Sequence, residues 1–182
     1  NVPANITGVQ ATGAGGAAVA FSAAAIDVED GVLTPSCTPL SGATFPLGTT
    51  TVTCVVTDSA SHTVSNSFTI TVVDTTGPAF SGVPVNISVA ATGAAGAVVT
   101  YTDPTATDLV SGSRGVTCVP VSGSVFPAGV TTTVTCSASD AAGNGGSASF
   151  TVAVAGYIDQ VPTVNVPANI TGVQATGPSG AA

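Results

Sequence analysis

The sequence predicts an all-β protein built of tandem β-sandwich modules of about 80 residues each. Three observations carry this. Apolar residues alternate with Thr and Ser at period two in several short runs, the pattern of half-buried strands. Gly, Pro and Asn signals separate those runs, and no stretch shows an apolar period of 3.6. Finally, the chain repeats itself. Residues 1–18 and 165–182 agree at 16 of 18 positions at an offset of 164, and a weaker copy opens midway at Val83-Pro84-Val85-Asn86-Ile87-Ser88.

The repeat fixes the element order. Each module opens on a strand around Asn5-Ile6 or Asn86-Ile87. The Ala-rich run 17–26 could be helix on propensity, but its counterpart Val98-Val99-Thr100-Tyr101-Thr102 reads as strand, so both are expected to be strands. SGATFPLGTTTVTC (41–54) recurs as SGSVFPAGVTTTVTC (122–136). Within it, Phe45-Pro46-Leu47-Gly48 and Phe126-Pro127-Ala128-Gly129 place Pro and Gly where a type I turn takes them. Val52, Cys54 and Val56 then point inward between outward threonines, as do Val134, Cys136 and Ala138. The closing strand repeats the alternation with Phe68, Ile70 and Val72, and with Phe150, Val152 and Val154. About seven short strands per module, with frequent turns, suggest a small Ig-like sandwich. The aromatic pairs Phe21/Tyr101, Phe45/Phe126 and Phe68/Phe150 fall on inward faces and read as core. The chain divides into module 1 at residues 1–77, module 2 at 78–161, and a segment 162–182 holding a junction and the opening strand of a third module. Phe80 and Tyr157 lie in the connections and are expected to pack at module junctions.

Composition excludes many functions. Charged residues are 5% of the 182, with a single basic residue, Arg114, a single His, His62, and a net charge of −8. An ordinary soluble domain carries roughly a quarter charged residues. A Lys Schiff base, a P-loop, a basic nucleic-acid surface and a His cluster for metal all lack their residues, and a Ser-His-Asp triad could use only His62. The negative charge argues against nucleic acid and acidic lipid as partners. No run of about 20 apolar residues marks a membrane span, so no membrane insertion is expected. No basic segment followed by an apolar one opens the chain, so a signal peptide is expected to be absent or removed.

Pro3-Ala4-Asn5-Ile6 and Pro84-Val85-Asn86-Ile87, the segments Ser41 to Cys54 and Ser122 to Cys136, and the loop Asp140-Ala141-Ala142-Gly143-Asn144 resemble the hyalin repeat (HYR) family. The resemblance covers nearly the whole chain. It implies an extracellular Ig-like module, found in tandem and associated with adhesion and matrix, and not an enzyme. Two departures stand out. Asn66 and Ala148 occupy positions where many family members carry a further Cys, and module 1 has Ser59-Ala60-Ser61-His62 in place of the Ala/Gly/Asn loop.

The remaining candidates are few. Four cysteines allow three pairings. Pairing within modules, Cys37 with Cys54 and Cys118 with Cys136, lets each module close its own bond, against free buried thiols as the alternative. Asn5, Asn86 and Asn169 each begin an N-x-S/T sequon at one module position and are candidate glycan carriers, or simply strand consensus. Asp27, Glu29 and Asp30 form the densest acidic cluster and are candidate Ca2+ ligands, with solvated turn carboxylates as the alternative. Asp58, Asp140, Asp74 and Asp159 are candidates for interdomain cation sites. No other cofactor is expected. The leading functional expectation is a structural extracellular or cell-surface protein whose modules form a fibre, filament or stalk. Copies of itself, head to tail, are then its partners. The alternative is an adhesin that binds glycan or a protein receptor, stiffened by calcium, and a third is an accessory region of a secreted enzyme.

Overall fold

The computed structural model describes residues 1–165, with Gly172 and Pro178 beyond them. It is all-β over those residues, and each repeat folds on its own core. Module 1 comprises β1 (Ile6–Gln10), β2 (Ala17–Ala18), β3 (Ala25–Asp27), β4 (Gly31–Leu33), β5 (Ser36–Thr38), β6 (Thr44–Phe45), β7 (Gly48–Thr57) and β8 (Thr63–Val73). Module 2 comprises β9 (Ala79–Ser81), β10 (Ile87–Val89), β11 (Ala97–Val99), β12 (Thr105–Asp108), β13 (Gly112–Arg114), β14 (Thr117–Val119), β15 (Ser124–Phe126), β16 (Thr131–Ser139) and β17 (Gly145–Val154).

The main sheet of module 1 runs β1-β8-β7-β5, and that of module 2 runs β10-β17-β16-β14. Each is centred on a long antiparallel hairpin, and each has its opening strand parallel to its closing one. Ile6 lies opposite Ile70 and Val9 opposite Val72; Ile87 lies opposite Val152 and Val89 opposite Val154. Period-two patterning decides which face is buried. Val52, Cys54, Phe68, Ile70 and Val72 turn inward with Phe45, and their counterparts do the same around Phe126. The outward threonines pair across the ladder, with Thr49 Oγ1 3.0 Å from Thr71 Oγ1. Phe21 meets Phe68 edge-on at 5.0 Å between ring centroids, and Tyr101 meets Phe150 at 4.9 Å. The Tyr101 hydroxyl donates to the Pro120 carbonyl. Burial, with the Asp103 charge behind it, raises its pKa above the ordinary phenol value.

The second layer is more broken than the sequence suggests. The run 17–26 splits into β2 and β3, and residues 19–24 lie outside any strand; in module 2, β11 ends at Val99. The reason lies in the Ser-Gly pair of the repeat. Ser41 Oγ accepts from Phe21 N at 2.8 Å and donates to Phe21 O at 2.6 Å, so one hydroxyl replaces a neighbouring strand. Ser122 does the same for Tyr101. The Thr-Gly-x-x-Gly opening is equally local. Thr12 donates through N and Oγ1 to Gly16 O, and Thr92 to Gly96 O. A Cβ on Gly16 would stand 1.8 Å from Phe45 O, so the backbones approach where only glycine fits.

Both disulfides lie within modules. Cys37 on β5 faces Cys54 on β7, and Cys118 on β14 faces Cys136 on β16. Each joins neighbouring strands of one sheet. With sequence separations of 17 and 18, each closes a loop whose removal from the unfolded ensemble stabilises by about 3 kcal/mol in the chain-entropy model.

Candidate functional site: the junction between the modules

Residues Asp74 to Pro78 carry the chain from β8 into β9, and they lie directly on module 2. A Cβ on Gly77 would fall 2.3 Å from Gly145 O, and one on Gly146 would fall 2.4 Å from Pro78 O. Close contact of these two backbones therefore depends on glycine on both sides. β9 then adds to β12 with Phe80 opposite Ala106, and Phe80 packs half-buried against the second core. In the other direction, Val110 in the turn between β12 and β13 packs against the core of module 1. Module 2 thus seats Phe80 on its own core beside the connector and sends Val110 across to the core of module 1.

Three carboxylates meet here. Ligand oxygens of Asp74, Asp108 and Asp140 all lie within 4.8 Å of one another, the one such group of three among the described residues. All three residues are buried, at 9%, 3% and 6% exposure. Asp74 comes from the connector, Asp108 from the end of β12 and Asp140 from the loop after β16. Their positions follow from local hydrogen bonding. Asp108 Oδ1 accepts from Val110 N at 2.9 Å and Ser111 N at 2.6 Å, an Asx turn that also aims Val110 at module 1. Asp140 Oδ1 accepts from Asn144 N at 2.7 Å and Oδ2 from Asn144 Nδ2 at 2.6 Å. Asn144 Nδ2 also donates to Asp74 O at 3.0 Å, bridging the modules. Asp74 Oδ1 accepts from Gln10 Nε2, Thr76 N and Thr76 Oγ1, whereas its Oδ2 is buried with no partner. Burial pushes the Asp140 carboxyl up, but hydrogen bonds from the Asn144 side chain and the 142–144 backbone outweigh it and hold it below the ordinary aspartate value.

The acidic trio expected from the sequence is built differently. Asp27, Glu29 and Asp30 do not converge on one point. Asp27 Oδ1 closes its own turn on Glu29 N and Asp30 N, both oxygens of Asp30 accept from Ser59, and Glu29 is exposed. Asp58 pairs instead with His62, Oδ2 to Nδ1 at 2.9 Å. Asp159 is exposed on the stretch after β17 and lies outside the Asp74 cluster.

The sequence reading does not single out Asp108, although a signal existed. Aligning the turns at Gly31 and Gly112 puts Asp27 on Asp108, and both close the same turn with the same acceptor oxygen. Asp58 and His62 likewise sit where module 2 has Asp140 and Asn144.

The other expected residues are placed as follows. Asn5 and Asn86 are exposed, and each side-chain oxygen accepts a ladder-like bond, from Thr69 N and Thr151 N at 2.9 Å. Asn169 lies outside the described residues, as does the expected third-module strand. Phe80 is half-buried against the second core beside the connector, and Tyr157 is 44% exposed. The module it would meet begins at residue 165, beyond which nearly all residues lie outside the described part.

Disulfide-closed, Ig-like sandwiches in series, meeting through a closely packed connector, define a tandem-module protein. The HYR domain model matches the chain twice, at residues 1–72 and 73–154, and the chain belongs to that family. Over 130 residues, 69% of this chain, it is 38% identical to hyalin of Strongylocentrotus purpuratus. The match spans 11% of hyalin's length. HYR modules are extracellular and non-enzymatic, and the two disulfides fit an oxidising setting.

Proposed function

We propose that the chain is a stretch of an extracellular structural polymer, whose modules join head to tail into a surface fibre, filament or stalk. The observation that carries this reading is the near-identity of residues 1–18 and 165–182, 16 of 18 at an offset of 164. A two-module cassette duplicated end to end produces that pattern, and head-to-tail contacts leave a chain open to grow. Two features of the modules suit a tensile element. The opening and closing strands of each main sheet run parallel and side by side, so force applied at the module ends loads their short ladder in shear. A disulfide fixes β5 to β7 and β14 to β16, which limits how far an opened module can extend. The exposed Asn5 and Asn86 carry N-glycans in this reading. Their ladder bonds use Oδ1 and not the Nδ2 to which a glycan is joined.

Electron microscopy of the native specimen tests the assembly. Filaments with a regular module repeat are expected. Discrete particles with no end-to-end association would overturn the fibre and leave receptor or glycan binding as the function. Intact mass tests the glycans, because a mass equal to the bare polypeptide removes them.

A further inference from the structure

We propose that Asp74, Asp108 and Asp140 form a divalent-cation site, with Ca2+ its occupant, that fastens module 2 to the end of module 1. The site concerns one junction and holds whether or not the chain polymerises.

The three carboxylates come from three separate segments, one of them the connector, and they are buried together within 4.8 Å. Like charges gathered out of water need a counter-charge. The protein has almost none to give. Its one basic residue, Arg114, donates Nε to Ser139 O, and the one ion pair among the described residues is His62 with Asp58. Asp74 Oδ2 is the decisive atom: on a residue of this cluster that is 9% exposed, it is buried without a hydrogen-bond donor. Its sister oxygen takes Gln10 and Thr76, and Asp108 Oδ1 takes its own turn, so these two carboxylates are oriented by one oxygen and can offer the other. Both oxygens of Asp140 accept from Asn144, and each keeps a further lone pair for an ion.

The donor set selects the ion. All charged donors are carboxylate oxygens, which suit Ca2+ or Mg2+ and not the N/S preference of Zn2+. With Ca–O distances of roughly 2.3–2.6 Å, two oxygens on one Ca2+ can stand up to about 5 Å apart. The cluster's 4.8 Å limit falls inside that span. Mg2+ demands shorter, near-octahedral contacts. Ca2+ accepts an irregular set completed by main-chain carbonyls and water. Because Asp74 belongs to the connector and the other two to module 2, the ion binds the docked arrangement and shifts the equilibrium toward it.

The test is calorimetric titration of the chelator-treated 182-residue chain with CaCl2, with the melting temperature followed in parallel. Saturable binding is expected, with Kd on the order of 10⁻⁴–10⁻³ M, the range of extracellular modules. A rise in melting temperature should accompany it. Asp74→Asn and Asp108→Asn each keep an acceptor oxygen but remove a charge, and each should weaken Ca2+ binding at least about tenfold. Asp30→Asn, outside the cluster, should leave it unchanged. Absence of saturable binding overturns the site. So do variants that melt lower in chelator yet keep the wild-type Ca2+ affinity, because that is the behaviour of a purely structural cluster. MgCl2 binding as tightly as CaCl2 overturns the assignment to Ca2+.

Discussion

Gly16 shows how tightly single positions are specified. Its φ is +102°, and a Cβ there would stand 1.8 Å from Phe45 O. Gly16→Ala should therefore destabilise module 1 by roughly 3 kcal/mol or more, combining backbone strain with a main-chain clash. Gly15→Ala, with open space around its Cβ, should cost little. Urea unfolding of the two variants checks the contrast, and equal midpoints would refute it. Asp27 is a second such position. Backbone hydrogen bonds, first from Asp30 and then from Glu29, hold its pKa below the ordinary value of 3.8. A depressed folded pKa contributes stability that is present above the unfolded value and is lost as pH falls through the folded one. The contribution should thus be intact above about pH 4 and disappear below it. A carboxyl carbon NMR titration of Asp27 with a midpoint at or above 3.8 would contradict this. Legibility at this scale is uneven. The inward faces of β7 and β8 are plain in the sequence because side chains alternate with certainty along a strand. The Asp74 cluster is not, because its members are 34 and 32 residues apart in sequence (74 to 108 to 140) and meet only after the modules dock.

At the scale of elements, the disulfides replace what the small cores lack. Each core is filled mainly by Val, Ala and Phe, with no Trp and no Met anywhere in the chain. Domains of this size are marginal without a covalent staple. Converting Cys37 and Cys54 to Ser should cost module 1 about 3 kcal/mol, leaving module 2 close to its own stability. Differential scanning calorimetry would resolve this as a lowered first transition beside an unmoved second, and a variant melting as the parent does would rule it out. The second-layer strands were harder to read. Residues 19–24 look like strand because their composition favours extended backbone. What the composition hides is that Ser41 Oγ, not a neighbouring strand, satisfies Phe21. Long antiparallel hairpins are legible because both partners are patterned; an extended segment held by a side chain has no patterned partner to find.

For the whole molecule, the repeat at an offset of 164 reveals the two-module order, but not how the modules touch. That depends on Gly77 lying on Gly145, Val110 entering the first core, and Asn144 reaching Asp74 O. Flexible linkage is the default between domains, and a contact must be close-packed to suppress it. Gly77→Ala isolates this contact. The new Cβ would fall 2.3 Å from Gly145 O and 2.7 Å from Gly145 C, both main-chain atoms that cannot rotate away. Neither hydrophobic core includes Gly77, so both modules should keep their folds while the junction opens. Residual dipolar couplings of the parent should fit a single alignment tensor for both modules, whereas those of Gly77→Ala should need two. Amide shifts around Phe45 and Phe126 should stay put, and those around Val110 and Asn144 should move. A variant that still fits one tensor with unshifted Val110 would mean that the glycine contact does not hold the modules together.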